Sequence, residues 1–146
     1  MPDDISFLWP AAAAIQVTSL PGGGCNIKFT FPDRGVVRSI GKGRVVRIRA
    51  VPTKRIARQY EILVRHDHGF ESSYSIVDQT PNLRTGESGV LRMEGAPVED
   101  GGELYEIRNG GSLHFQLYQA GKLVDPRAHI PGEPGGGDAS RPAPAP

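Results

Sequence analysis

The sequence predicts an all-β domain, an antiparallel β-sheet sandwich of short strands. Two observations support this prediction: apolar residues recur at every second position in many short segments, and glycines and prolines separate those segments. The 146 residues include 19 glycines and 13 prolines, a composition that favours turns over long helices. The domain is expected to cover residues 5–130. Residues 131–146 carry no apolar side chain larger than alanine, proline aside, and are expected to form a disordered tail.

Each strand is predicted from where the alternation starts and stops. After Gly24, Ile27, Phe29 and Phe31 share one face, with polar residues on the other. A Pro-Asp-Arg-Gly turn follows, because proline presets φ and glycine tolerates positive φ. The predicted strands are 15–17, 25–31, 36–40, 44–51, 60–67, 70–77, 89–93, 103–107, 112–119 and 122–124.

In two of these strands, the alternation shows which face the charged or titratable residues share. Val46 and Ile48 share one face of their strand, and the arginines beside them share the other. In the next strand, His66 shares the face of Ile62 and Val64. The following link, His-Gly, is short enough to predict a tight hairpin.

The composition of the chain excludes several classes of partner and of site. Lys plus Arg number 17 and Asp plus Glu number 16, so no global electrostatic attraction to nucleic acid is expected. A single cysteine excludes an internal disulfide and a zinc site built from cysteines. No segment reaches the roughly 18 apolar residues of a membrane span.

The N-terminus does not have the pattern of a signal peptide. Asp3 and Asp4 occupy the place of a basic segment, and Trp9-Pro10 interrupts the apolar run. If Met1 is the native start, the protein is expected to be cytoplasmic or to be exported without a cleaved signal.

The C-terminal third of the domain carries a recognisable motif. The segment SLHFQLYQAGKLVDPRAHI at 112–130 closely resembles the C-terminal signature of lysostaphin-type (LytM-like) zinc peptidoglycan endopeptidases. That signature is an HxH strand, a turn with Gly-Lys and a Val-Asp-Pro run. Three further segments resemble family segments in the same order: FLWP at 7–10, VRSIGKGRVV at 37–46 and ILVRHDHGFESSYSIV at 62–77. The resemblance therefore extends over most of the chain.

The resemblance implies zinc ligands from an HxxxD pair and from the second histidine of HxH. In this sequence the HxxxD pair falls on Gly24 and Lys28, and the HxH pair falls on Ser112 and His114. Glycine offers no ligand, and a protonated lysine repels a cation. His114 is therefore the single ligand retained, which is too few to hold zinc at a useful affinity.

The two assisting histidines of the family are also replaced. One position is Ser112, and the other falls on Ile76, which cannot transfer protons. The histidine before the hairpin turn is present as His66. The resemblance thus implies a pseudoenzyme without a cofactor, and the candidate groove residues are Lys28, His66, Ser112 and His114.

Two hypotheses concern what replaces the metal. In the first, the Lys28 ammonium takes the position of the cation, facing Ser112 and His114; an exposed strand lysine is the alternative interpretation. In the second, His66, His68 and His114 form a residual metal site, since His66 and His68 share a strand face. A hydrogen-bonded His66 and a solvated turn His68 are the alternative there.

A local run of basic residues is the best electrostatic candidate for a partner surface. A solvated strand face and loop is the simpler interpretation. The run consists of Arg44, Arg47, Arg49, Lys54, Arg55 and Arg58.

These observations leave three functional hypotheses. The first is an inactive domain that binds, scaffolds or regulates, linked to cell-wall remodelling or to a secretion or phage-tail-like assembly. Its partner would be a protein or a peptidoglycan-like ligand, and no nucleic acid is expected. The second is a peptidoglycan metalloendopeptidase with non-standard ligands, and the third is a structural assembly protein.

Overall fold

The computed structural model describes residues 7–11, 16–19, 26–51, 58–79, 89–108 and 110–131; for 16–19 and 58 it describes the backbone alone. In these ranges the regular structure is β-strand, apart from two 3₁₀ turns at Asp67–Gly69 and Pro126–Ala128. None of the described segments is a helix long and apolar enough to cross a bilayer. The predicted tail lies outside the described residues, except for Pro131.

The described residues form antiparallel strands throughout. In chain order they are β1 (Gln16–Ser19), β2 (Ile27–Phe31), β3 (Gly35–Arg38), β4 (Gly43–Val51), β5 (Arg58–Arg65), β6 (Phe70–Asp78), β7 (Pro97–Val98), β8 (Glu103–Ile107), β9 (Gly111–Gln119) and β10 (Lys122–Val124). One sheet has the order β1-β2-β9-β6-β5-β4-β7, and β10 also pairs with β9; β3 and β8 form a second sheet.

Alternation assigns every side chain of the larger sheet to one of two faces. On β9, Leu113, Phe115 and Leu117 are fully buried, and the residues between them are half-buried. On β6, alternate residues from Phe70 to Asp78 are buried in the same way. We call the side with the buried residues the inner face and the opposite side the outer face.

The smaller sheet packs against the inner face. Val37 of β3 and Leu104 of β8 are fully buried in the same apolar cluster as the inner-face residues. Tyr105 of β8 donates a hydrogen bond of 2.5 Å to Asp78, and its ring centroid lies 5.5 Å from that of Tyr60. Two packed antiparallel sheets confirm the predicted all-β fold.

The two ends of the described domain are joined. Trp9 is 1% exposed, and its indole Nε1 donates a hydrogen bond of 3.1 Å to the carbonyl of Pro131. Ile130 is also buried. The Leu8 amide donates to the Ile40 carbonyl at 2.7 Å, which attaches the N-terminal segment to the chain after β3.

The strand predicted at 89–93 is wrong. Among the described residues of that segment, Val90 forms an isolated bridge to Tyr105, and the short strand β7 forms further on. Leu91 is 38% exposed and Met93 78% exposed. Val90 packs against the core, but the alternating side chains of Leu91 and Met93 do not, and without their burial the alternation does not stabilise a strand.

The prediction that Val46 and Ile48 share a face of β4 needs a correction. Val45, not Val46, is fully buried, because a β-bulge places one extra residue in the strand. Val45 pairs with Val64, and the next pair is Arg47 with Leu63. Beyond the bulge the predicted alternation of the arginines holds.

The hairpin between β5 and β6 has a longer loop than the predicted two-residue link. The loop is Asp67–Gly69, and the His66 amide donates to the Phe70 carbonyl at 2.8 Å. His68 and Gly69 both have positive φ, 62° and 78°. Strand β5 correspondingly ends at Arg65.

Trp9→Ala is expected to lower the free energy of unfolding by about 3–5 kcal/mol, because it empties a fully buried site and removes the contact between the two ends. Urea denaturation followed by circular dichroism measures this change. Met93→Ala is the matched control, since Met93 is 78% exposed. An unchanged unfolding midpoint in Trp9→Ala would contradict the role given to Trp9.

Candidate functional site

Lys28 and His114 lie directly opposite each other on neighbouring strands. In the register of the sheet Lys28 of β2 pairs with His114 of β9, and His114 pairs with Ser75 of β6. All three lie on the outer face, because the residues beside them point into the core. Directly opposed residues have Cβ atoms about 4.5–5.5 Å apart. The three side chains therefore form a row across the outer face.

Ser112 lies in the adjacent row of the same face. It pairs with Thr30 of β2 and Val77 of β6. The structure thus brings three of the four candidate groove residues, Lys28, Ser112 and His114, onto one patch. Lys28 is exposed, while Ser112 and His114 are half-buried.

A string of polar side chains continues from His114 along β9. Asn26 Oδ1 accepts a hydrogen bond of 2.6 Å from Gln116 Nε2 and lies 3.2 Å from His114 Nε2. Tyr118 Oη donates to Gln116 Oε1 at 3.0 Å. Because an amide oxygen only accepts, the contact with Asn26 places a proton on His114 Nε2. The string thus fixes the orientation of the imidazole ring.

The charge of this patch belongs to Lys28. Burial lowers the pKa of His114 below its ordinary value of 6.5, and the nearby Lys28 ammonium lowers this pKa further. His114 is therefore neutral at physiological pH. A neutral imidazole beside an ammonium is a site that attracts anions.

The donor set does not fit the zinc ion that the resemblance implies. Zinc needs three protein donors such as imidazole or carboxylate. At the assigned positions Lys28 offers a cation, Ser112 a hydroxyl and His114 one imidazole, while Gly24 lies outside the described residues. Nowhere in the described ranges do three or more His, Cys, Asp or Glu residues form a group that could hold a metal.

His66 lies on the other side of the sheet from this patch. It is 7% exposed, and its ring centroid lies 5.3 Å from that of Phe7. The alternation with Ile62 and Val64 explains this position, since all three share the inner face. His66 therefore does not line a site with His114, although the resemblance placed both in the candidate groove.

Both ring nitrogens of His66 have protein partners. Nδ1 lies 2.9 Å from the Lys42 carbonyl, which can only accept, so Nδ1 carries a proton. Nε2 lies 2.8 Å from Ser72 Oγ, which lies 2.7 Å from Tyr74 Oη. Burial lowers the pKa of His66, although the Lys42 carbonyl and nearby acidic groups raise it in part. These contacts give His66 a structural role.

The residual three-histidine metal site does not form. His66 is inside the core, His114 is on the outer face, and His68 is exposed in the loop between β5 and β6. Ile76, where the resemblance expects an assisting histidine, is also on the inner face, fully buried opposite Leu113. It contributes to the core and has no access to the outer face.

The structure describes the side chains of three of the six residues in the predicted basic surface. Arg44, Arg47 and Arg49 are exposed on the outer face of β4. Arg49 forms an ion pair of 2.8 Å with Glu61. The side chain of Arg58, together with Lys54 and Arg55, lies outside the described residues. The described part of the run therefore belongs to the same face as Lys28.

Sequence reasoning missed the polar string beside His114. Gln116 and Tyr118 share the face of His114 by simple alternation, and this signal was available in the sequence. The position of Asn26 was not available, because it depends on the pairing of β2 with a strand about 90 residues away. Arg65 was also missed, although its strand position places it on the outer face.

Comparison with known proteins gives structural matches only. No protein-family model and no curated protein sequence matches the chain. A Pseudomonas aeruginosa protein described as an M23 peptidase superposes with a TM-score of 0.61 at 19% identity, over 89% of this chain and 52% of that chain. One chain of the SpoIIQ–SpoIIIAH pore-forming complex superposes with a TM-score of 0.61 at 14% identity, over 97% of this chain and 99% of that chain. The catalytic domain of the prophage-encoded M23 protein EnpA from Enterococcus faecalis superposes with a TM-score of 0.51 at 12% identity, over 82% of this chain and 88% of that chain.

These matches define the class of fold: the chain has the all-β fold of M23 peptidase and LytM-like domains. At identities below 20% they show the fold alone. The chain spans about half the length of the Pseudomonas aeruginosa protein and nearly the full length of the chain from the pore-forming complex.

Lys28→Gln is expected to raise the pKa of His114, because it removes the cation that opposes protonation of the ring. The pKa of His66, which lies on the other face, is expected to stay unchanged. Titration of the ring Cε1–H signals by NMR measures both values in one sample. A constant pKa for His114 in this variant would contradict the proximity of the Lys28 ammonium to the His114 ring.

Acid is expected to destabilise the fold through His66. The folded pKa of His66 is lowered below the value of 6.5 that applies to the unfolded chain, so protons bind the unfolded state more tightly. This contribution is intact above 6.5 and is lost as the pH falls through the folded pKa. Urea unfolding from about pH 7 to about pH 5 measures the loss, above the range where carboxylates titrate.

The matched variants for this pH dependence are His66→Gln and His68→Gln. His66→Gln is expected to reduce the pH dependence while leaving the contribution of His114, which has the same sign. His68→Gln changes an exposed loop residue and is expected to keep the wild-type slope. Equal slopes in all three proteins would exclude His66 as the source.

Proposed function

We propose that this chain is a catalytically inactive LytM-like domain that acts as a binding, scaffolding or regulatory module for a protein partner. The observation that carries the proposal is the pair of Lys28 and His114 on the outer face. In an active member of the resembling family, the position of Lys28 supplies a carboxylate to the metal. Here the sign of the charge at that position is reversed.

The chemistry of the remaining residues supports the absence of hydrolysis. A metal peptidase needs a bound cation to polarise the scissile carbonyl and to activate water. An ammonium about one strand spacing from His114 opposes the binding of a divalent cation. Ser112 and Ile76 replace the two assisting histidines, and Ile76 points into the core.

The alternative of a peptidase with non-standard ligands is less well supported. It needs His66 or His68 to share a metal with His114. His66 and His114 lie on opposite faces of the sheet, and the ring nitrogens of His66 are held by the Lys42 carbonyl and Ser72. One metal ion cannot reach both rings without breaking the strand pairing.

A scaffolding role has an observation in its favour. The chain matches nearly the full length of one chain from the SpoIIQ–SpoIIIAH pore-forming complex. That chain belongs to a pore-forming complex of two proteins. By analogy, the proposed role includes a place in a secretion or phage-tail-like assembly. A link to cell-wall remodelling rests on the fold of M23 peptidases.

The purified protein is expected to hold well below one equivalent of zinc and to release no peptides from peptidoglycan. Elemental analysis after dialysis against zinc measures the first property. Incubation with purified sacculi, with and without a chelator, measures the second. Stoichiometric zinc, or release of wall peptides that the chelator abolishes, would contradict the proposal.

A variant with restored donors provides the matched positive control. Gly24→His and Lys28→Asp supply the two ligands that the resemblance implies beside His114, and Ser112→His restores one of the two assisting histidines. This triple variant is expected to bind zinc more tightly than the wild type, because it replaces an ammonium with a carboxylate and adds imidazoles. It thereby separates a missing donor set from a protein that is merely misfolded.

A further inference from the structure

The outer face carries more positive than negative groups among the described residues. Its strand carboxylates are Glu61 and Glu71, and each is paired with a neighbouring arginine; at the β4 backbone, the Glu94 carboxylate is held by the Ile48 amide at 2.8 Å. Glu61 forms an ion pair of 2.8 Å with Arg49, and Glu71 forms one of 3.1 Å with Arg65. Neither carboxylate is left to balance the other cations of this face.

Lys28 and Arg47 are the outer-face cations without an assigned acceptor in the described part of the chain. Arg44, by contrast, donates to the carbonyl of Gly95. Lys28 and Arg47 are both exposed. The face therefore has two uncommitted cations, one at each side of the sheet.

The register of the sheet fixes the spacing of these two cations. Across the strand order β2-β9-β6-β5-β4, Lys28 begins the row that ends at Arg49, and Arg47 ends the adjacent row. Four strand spacings of about 4.8 Å separate β2 from β4, roughly 19 Å in total. An extended peptide covers that distance in about six residues.

We propose that the outer face binds an acidic peptide segment of a protein partner, laid across the strands. One carboxylate of the segment contacts Lys28 beside His114, and a second contacts Arg47. This inference deepens the proposed function and rests on it, since it names the chemistry of the partner of a binding module. The occupant is defined by charge complementarity with the two uncommitted cations.

The groups between the two cations suit a peptide. Ser75, Ser73 and Gln116 supply hydroxyl and amide groups for hydrogen bonds with a peptide backbone, and Leu63 supplies an apolar contact next to Arg47. All four are half-buried on the outer face. The diagonal path from Lys28, past these residues, to Arg47 therefore combines charged ends with a neutral centre.

The same spacing disfavours nucleic acid. A nucleic-acid strand carries a phosphate on each nucleotide and needs a continuous basic track. Glu61 lies in the row of Lys28, between Ser75 and Arg49, and interrupts the positive charge along that row. The segment between the two acidic residues of the proposed peptide crosses neutral side chains instead, and so needs no continuous basic track.

The proposal is tested with a fluorescein-labelled, amidated peptide in which two glutamates flank five Gly and Ser residues, and with the same peptide carrying glutamines. Fluorescence polarisation at low ionic strength measures both dissociation constants. The glutamate peptide is expected to bind about tenfold more tightly, as two partly screened ion pairs provide. Added salt is expected to weaken the binding.

Protein variants assign the contacts. Lys28→Gln and Arg47→Gln are each expected to weaken binding of the glutamate peptide roughly two- to fivefold. Lys122→Gln is the matched control, because Lys122 is an exposed strand lysine on β10. In the wild type the bound carboxylate is also expected to raise the pKa of His114, a change that NMR detects and that Lys28→Gln abolishes.

Several outcomes would overturn the proposal. These are equal binding of the two peptides, no measurable binding of either, unchanged binding in both Lys28→Gln and Arg47→Gln, and tighter binding of a thymidine oligonucleotide than of the acidic peptide. None of them bears on zinc content or hydrolysis. Failure here therefore leaves the proposed loss of catalysis standing, and zinc-dependent hydrolysis would refute that proposal independently.

Discussion

The pairing of β9 with β2 on one side and β6 on the other is the constraint on which the rest of the structure depends. Its register places Leu113, Phe115 and Leu117 in the core, and the residues between them on the outer face. A slip of one residue would exchange the two sets, placing His114 in an apolar core and phenylalanine in water. The burial of the core therefore also fixes the position of the candidate site.

Much of this arrangement could be predicted from the sequence, because alternation is a local signal. Alternation assigns the polar residues of β2 to one face, and the fold class is confirmed. His66 shows the limit of using a family motif alone. Its alternation with Ile62 and Val64 placed it in the core, whereas the motif suggested a place in the groove.

The remaining features depend on contacts that alternation does not encode. The bulge at Val46 resolves a conflict between two adjacent valines, and β5 decides which of them faces inward. The segment around Met93 alternates like a strand, but the side chains of Leu91 and Met93 remain exposed. Asn26 reaches Gln116 across about 90 residues of sequence. In each case the missing information is which strands are neighbours.

The electrostatics of the outer face are compatible with the proposed role of this face in binding. A metal ion places a positive charge next to an imidazole, and the Lys28 ammonium does the same next to His114. Unlike a metal ion, the ammonium is not a Lewis acid. The lowered pKa of His114 keeps the imidazole neutral, so it does not compete with Lys28 for an anion. An ammonium cannot activate water at neutral pH, but it binds a carboxylate without any metal. The pair of Lys28 and His114 thus suits recognition of an anion better than bond cleavage, and it lies on a strand pairing that the core requires.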